Sequence, residues 1–354
     1  MTRGRAAAAL LTITAAITLA TPAHAVPTWI DEGTIGSLDQ APRPELKPKY
    51  IGWPERRQAP LVTPGGVDAL DRLKADAGMV IKPVDADGLA QKFNGFGYRL
   101  ATVRSGDAHV PRLYVDVMPR DMRALRSVDR RKRLFIRTML PMILRANEEV
   151  RRERELLQRI VARQDAGQPV EPAALAFVAR LKEIYADPET GTDELLRRVD
   201  TVPPSLALAQ AAEESGWGTS RFVREGNAVF GQRTYAGTGG LVPQRRERNQ
   251  KHLVRSFSHV QASVAAYVFN LNTHPAYDGF RAERARRRAA DEALDSRRLV
   301  AELNRYSERG AAYIRTIRTI IRVNKLWQFD DARLAPQHPT GRDNNQLRSI
   351  RWSL

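Results

Sequence analysis

The run Leu206-Ala-Leu-Ala-Gln-Ala-Ala-Glu-Glu214 constrains this chain more than any other feature, because as a helix it is apolar in almost every direction. Pro203-Pro204-Ser205 precedes it as a helix start with Ser205 as N-cap, and Gly216-Trp217-Gly218 breaks it. At roughly 100° per residue only Gln210, Glu213 and Glu214 share a narrow polar sector, so the helix belongs in the middle of a domain. Two carboxyl groups therefore sit on the last turn of a buried element. Burial disfavours the ionised form of such a group, and the glycine-rich break opens one side to a cleft. A protonated carboxylic acid facing a cleft is what donation to a glycosidic oxygen requires. A helix-end carboxylate paired with Arg221 or Arg224 satisfies the same residues, and local sequence leaves both readings open.

The compartment is read from the first residues. Arg3 and Arg5 precede an apolar run from Ala6 to Ala20, and Ala23-His24-Ala25 supplies a small-x-small cleavage pattern. Residues 1–25 are expected to be a secretory signal peptide, since the run falls short of the roughly 20 residues that span a bilayer. No later stretch is long and apolar enough to span, so an exported chain of the periplasm or wall is expected, with no transmembrane segment after cleavage. A 42% hydrophobic content supports a core without disulfides, and the chain has no cysteine. The formal charge is +17, two fewer once Arg3 and Arg5 are removed, which favours an anionic wall polymer or membrane surface. Nucleic acid is not expected as a partner, given export and the absence of a recognition motif.

Residues 26–65 carry seven prolines and read as an extended linker. Residues 66–185 form an accessory region of strands followed by helices, with Tyr98–Val103 and Leu113–Val117 as the strands. From Asp121 to Gln164 the pattern is helical, with Phe135, Met139 and Met142 on one face and Pro141 kinking or dividing it. Asn147–Glu155 reads as a solvated, charged face. Helices follow at Pro172–Tyr185 and from Asp193. After Ala228-Val-Phe-Gly231, turns and hairpin strands occupy Gln232–Phe257. A capping box, Ser258 with Gln261, starts a helix whose stripe is Val260, Val264, Tyr267, Val268 and Leu271. Tyr267 on that stripe is expected to be core. Arg281–Arg298 reads as a basic, solvated helical face, Ile314–Leu326 as a closing amphipathic helix, and residues 332–354 as a loose polar tail. Residues 186–331 are expected to form the catalytic domain.

The segment Leu206–Phe222, with Glu-Glu214-Ser-Gly-Trp-Gly-Thr at its centre, followed by Glu225-Gly-Asn-Ala-Val-Phe-Gly231, resembles the glucosaminidase domain of glycoside hydrolase family 73. Leu271-Asn-Thr-His-Pro-Ala-Tyr277 and Tyr306-Ser-Glu-Arg-Gly310 resemble its Bax-type branch more closely. The resemblance covers roughly residues 190–331, with several separated motifs in order. It implies an α+β, mainly α fold: a lysozyme-like catalytic domain with a small β-hairpin beside the cleft. It implies hydrolysis of the β-1,4 bond after N-acetylglucosamine in peptidoglycan, with no cofactor. Glu214 matches the catalytic acid, while Glu213 is its neighbour and not its equivalent. Asn227 and Phe230 match the segment that shapes the cleft floor, and Tyr277 a tyrosine near the scissile bond. The second carboxylate lies on the family's mobile hairpin. Here the segment reads Arg245-Arg-Glu247-Arg-Asn249, with the glutamate one position earlier than in Bax-type relatives. A one-residue shift turns a strand side chain to the other face unless a bulge restores it. Glu247 is the candidate base, and assistance from the substrate's own acetamido group is the alternative.

Trp217 is a candidate for stacking on a sugar ring, or equally for packing. His252, His259 and His274 lack metal-ligand spacing, so no metal site is expected. Two other functions fit the same residues: a lytic transglycosylase working with one glutamate, and a wall-binding or assembly protein that has lost catalysis.

Overall fold

The computed structural model describes residues 78–83, 85–234, 240–242 and 253–337, all within one unit of the chain, Glu45–Leu354. The expected signal peptide, the Pro-rich linker, Glu247, His252 and residues 338–354 of the expected tail lie outside the described residues. The fold is mainly helical with two small sheets, as the fold class anticipated.

In the first sheet, β1 (Met79–Ile81) pairs in parallel with β2 (Leu113–Val115), Met79 opposite Leu113 and Ile81 opposite Val115. Between them run α1 (Ala86–Gly95) and α2 (Leu100–Arg104). Tyr98–Val103 is therefore not a strand: Leu100 and Val103, three residues apart, are the positions that α2 buries. The long helix α3 (Val128–Asp165) passes through Pro141 without interruption. Neighbours on both sides bury that stretch, from Leu134 to Asn147, and tertiary packing outweighs the lost hydrogen bond. The charged run that follows is not a purely solvated face. Asn147 is buried, donating to the Val202 carbonyl at 2.7 Å and accepting the Val202 N–H at 3.0 Å.

Helices α4 (Pro172–Tyr185) and α5 (Thr192–Arg198) lead to the central helix α6 (Pro204–Ser215), on which every residue from Pro204 to Ala212 is buried. Its entry is held from three directions. Asn147 fixes the Val202 peptide from α3. Arg284 donates to the carbonyls of Asp200 and Thr201, both at 3.1 Å. The Asp330 carboxylate accepts the Ser205 N–H and the Ser205 hydroxyl, each at 2.8 Å. Ser205 is thus not the N-cap but a first-turn residue, and a carboxylate from far along the chain takes the capping role.

After α7 (Arg221–Gly226) the second sheet is antiparallel, in the order β3 (Arg233–Thr234), β5 (Leu253–Arg255), β4 (Gly240–Leu241). It rests on its own small apolar cluster of Ala228, Val254, Phe257 and Ala266. Helix α8 (Val260–Thr273) is capped by His259, whose Nδ1 accepts the Ala262 N–H at 3.2 Å, in place of the Ser258 capping box. A 3₁₀ turn at Pro275–Tyr277 leads into α9 (Asp278–Ala289). That helix does not present a solvated basic face, because Arg281, Arg284 and Arg287 are buried. The chain continues through α10 (Ser296–Leu299) and α11 (Ala311–Val323). It then returns to the first sheet, where Val110 donates to the Arg333 carbonyl and accepts from Ala335, both at 2.8 Å. Residues 332–335 are therefore docked rather than a loose tail. One apolar core runs from Ile81 to Ala332 and includes residues of α1, α3, α6, α8 and α11.

Candidate active site

The end of α6 is built by the residues that follow Glu214. Ser215 Oγ donates to the Ala211 carbonyl at 2.5 Å and accepts the Gly218 N–H at 2.9 Å. Gly216 closes the helix in the left-handed region, φ 57°, with its N–H on the Ala212 carbonyl. Trp217 follows, also left-handed at φ 56°, an uncommon conformation for a bulky residue. The cost is offset by its position: the indole is nearly buried, edge-on to Phe135 at 5.7 Å, with the Lys132 ammonium 5.2 Å from its ring. Gly218 has φ 82°, and a Cβ there would stand 3.2 Å from the Phe135 ring. Each member of Ser-Gly-Trp-Gly thus fixes the turn that leaves Glu214 at the rim.

Glu213 and Glu214 diverge. Glu213 Oε1 pairs with Arg309 at 2.6 Å, and Arg309 in turn donates to Thr316 at 2.7 Å. Glu214, half-buried, extends its carboxyl beside Gly231, where a Cβ would come within 3.8 Å of Oε2. Arg221 turns away, to Glu225 at 3.0 Å and to the Val242 carbonyl at 2.6 Å.

Around that carboxyl stands an aromatic wall. Phe230 stacks on Tyr267 with centroids 3.9 Å apart, and Tyr306 stacks on Tyr313 at 5.5 Å. Tyr277 lies 5.9 Å from Tyr306 and 5.5 Å from His274. Gln210 joins the two halves of the wall. Its Oε1 accepts the Tyr267 hydroxyl at 2.7 Å, and its Nε2 donates to the Tyr313 hydroxyl at 2.8 Å. Burial, then the negative charge of Glu214, hold the Tyr267 and Tyr313 phenols well above the usual range. Burial, Tyr313 and Glu214 do the same at Tyr306. All three stay protonated; Tyr267 gives its hydrogen to Gln210 Oε1, whereas Tyr313, which accepts from Gln210 Nε2, keeps one to donate.

The other sequence candidates fall around this centre. Phe230 is part of the wall and Tyr277 is fully buried behind Tyr306. Asn227 caps α7 in the left-handed conformation, its Nδ2 donating to the carbonyls of Phe257 at 3.1 Å and Ser258 at 3.3 Å. It ties the sheet's return strand to the turn before Phe230. Tyr267 is core, as its stripe position implies, with its hydroxyl on Gln210 and near enough to Glu214 to feel its charge. His259 and His274 both engage Nδ1 with backbone N–H groups, and the described residues contain no cluster suited to a metal ion. Sequence reasoning assigned no role to Tyr306, Tyr313 or Gln210. The available signals were a glutamine on an otherwise apolar helix and the place of Tyr306 at the head of the Tyr306–Gly310 motif.

A carboxyl at the end of a buried helix, close to protonated phenols and beside a small sheet, is an arrangement suited to acid–base chemistry on a polar substrate. The family model described as glucosaminidase, mannosyl-glycoprotein endo-beta-N-acetylglucosaminidase, matches residues 192–326. Protein bax of Escherichia coli (strain K12) is 37% identical over 198 residues, 54% of this chain and 69% of the relative's length. No solved structure matches the chain. The chain belongs to the glucosaminidase family, and its function is of the glycoside-hydrolase kind.

Proposed function

We propose that the chain is an exported endo-β-N-acetylglucosaminidase that cleaves the β-1,4 bond after N-acetylglucosamine in peptidoglycan, with Glu214 as general acid. The observation that carries this reading is the divergence of two adjacent glutamates. Glu213 is committed to Arg309, whereas Glu214 enters the ring of Tyr267, Tyr306 and Tyr313 at Gly231. Glu214 protonates the leaving oxygen, and the Tyr306 and Tyr313 phenols supply hydrogens for the sugar oxygens while Tyr267 is held by Gln210. Phe230 and Tyr277 shape the wall, Asn227 holds the sheet against the cleft, and Trp217 sets the turn that aims Glu214. Glu247, outside the described residues, is the candidate base; an inverting reaction requires a base about 6.5–9.5 Å from the acid, and the substrate's own acetamido group is the alternative. Family membership and the absence of a membrane-crossing helix among the described residues are consistent with an extracytoplasmic wall substrate.

The test is digestion of purified peptidoglycan by the wild type, Glu214→Gln and Glu247→Gln, with reduced products identified by mass spectrometry. Fragments ending in reduced N-acetylglucosamine are expected from the wild type, with Glu214→Gln slower by about 10²–10⁴-fold. Anhydro-muramyl ends would move the protein to the lytic transglycosylases. An unimpaired Glu247→Gln would replace the external base with the substrate's acetamido group. No cleavage by folded wild type that binds wall would leave a binding or assembly protein.

A further inference from the structure

A second concavity lies at the opposite end of α6 from Glu214, where Pro203 and Pro204 begin the helix. A straight helix of 12 residues separates the two ends by about 18 Å. The cavity holds about 670 Å³ and is lined by six arginines against three aspartates. Most of these arginines sit at its rim, but Arg151, from the middle of α3, is half-buried. Arg288 is bound to Asp200 at 3.0 and 3.2 Å, and Arg318 to the Arg297 carbonyl. Among the described residues, Arg151, Arg322 and Arg333 have no carboxylate within 4.0 Å. Burial, then the nearby Arg333 guanidinium, depress the Arg151 pKa, with Glu155 and Glu148 opposing and Arg288 adding a little. Collecting like charges in a hollow raises free energy unless an anion offsets it. The N-terminus of α6 contributes little to anion binding here, since the Asp330 carboxylate already occupies it. The rest of the lining is suited to a ring: Trp327 is 47% exposed at the rim, and Pro203 and Leu294 are apolar.

We propose that this cavity is a second ligand site that takes a phosphorylated saccharide, its phosphate held by Arg151, Arg322 and Arg333 and its ring laid on Trp327. A phosphomonoester carries nearly two charges and three acceptor oxygens, which matches several guanidinium forks better than a single carboxylate does. The site is independent of the hydrolytic reading, and its ligand need not be the polymer that is cut.

The experiment is calorimetric titration of the full chain with glucosamine 6-phosphate, inorganic phosphate and glucosamine at one ionic strength. Saturable binding of glucosamine 6-phosphate is expected, about tenfold tighter than inorganic phosphate, with none for glucosamine. Arg322→Gln and Arg333→Gln change exposed side chains, so both variants are expected to fold, with melting followed by circular dichroism. Each should weaken the sugar phosphate by at least about tenfold. Trp327→Ala should weaken the sugar phosphate but not inorganic phosphate. Arg298→Gln, exposed and outside the cavity, is the control for bulk charge and should bind as the wild type does. The proposal is overturned by absence of saturable binding, by equal affinity for inorganic phosphate, or by equal loss in the Arg298 control.

Discussion

Gln210 is a polar side chain buried in the most apolar helix of the molecule, and its two hydrogen bonds explain why it is tolerated. It is the shared partner of Tyr267 and Tyr313, whose phenols lie near enough to Glu214 to feel its charge. Gln210→Leu would leave both hydroxyls buried without that partner, at a cost of about 2–4 kcal/mol. A lower urea midpoint with unchanged slope is the measurement that checks this, and an undiminished midpoint would show that the pair finds other partners. Asp330 carries a second prediction. Burial, against the Ser205 hydrogen bonds, pushes its carboxyl up to about 6. A folded-state pKa above the unfolded one means the native state binds the proton more tightly. This contribution to stability is therefore present below pH 4 and lost as pH rises through about 6. Asp330→Asn keeps an acceptor for Ser205 and removes the titration. Its melting temperature should exceed the wild type's at pH 8, with the gap closing as pH falls toward 4.

Helix α9 shows how a pattern can mislead at the scale of an element. Its arginines read as a solvated face, yet Arg284 is fully buried with five hydrogen-bond contacts: the carbonyls of Arg197, Arg198, Asp200 and Thr201, and Asn272 Oδ1. Its Nε lies 3.5 Å from the buried Asp200 carboxylate. Burial raises the Asp200 pKa, but Arg284 and Arg288 outweigh it and hold the group below the usual carboxylate range. Arg284→Met removes one of the charges that hold Asp200, leaving Arg288, and takes the donor from four carbonyls and Asn272 Oδ1, so a loss of about 3–5 kcal/mol is expected, read by chemical denaturation. Because Arg284 also anchors the peptide leading into α6, hydrolysis should fall even where the variant remains folded. The apolar helices, by contrast, were legible from spacing: α4 matches its predicted bounds, and the stripes of α8 and α11 face the core. Periodicity reports which face is apolar; it does not report that a guanidinium will find carbonyl oxygens from another segment.

Across the whole molecule, α6 packs on α3 and α11, and the first sheet closes onto residues 332–335. Residues 186–331 alone lack α3, so the core positions of α6 and α8 that it covers would be exposed to water. A fragment 186–354 is expected to show no cooperative thermal transition, whereas 78–354 should melt as one unit. Calorimetry of the two fragments decides this, and a sharp transition in the shorter one would make the catalytic segment an independent domain. The site was legible in part for the same reason. Glu214, Phe230 and Asn227 sit in contiguous motifs and Tyr306 and Arg309 in the separate Tyr306–Gly310 motif, but no local pattern shows that these segments and Tyr313 meet at the end of α6.

The sequence by itself determined that a carboxyl-bearing apolar helix must be central, that a glycine-rich turn ends it, and that the chain resembles glucosaminidases. Those features are local: side-chain polarity, helical period and the φ requirements of consecutive residues. Only the tertiary structure decided that Glu213 is tied to Arg309, which arginines are buried, and which remote carboxylate caps α6. Each of those outcomes rests on a hydrogen bond or ion pair between segments tens of residues apart or more. Its strength comes from excluding water, and water is excluded only when the whole core has closed.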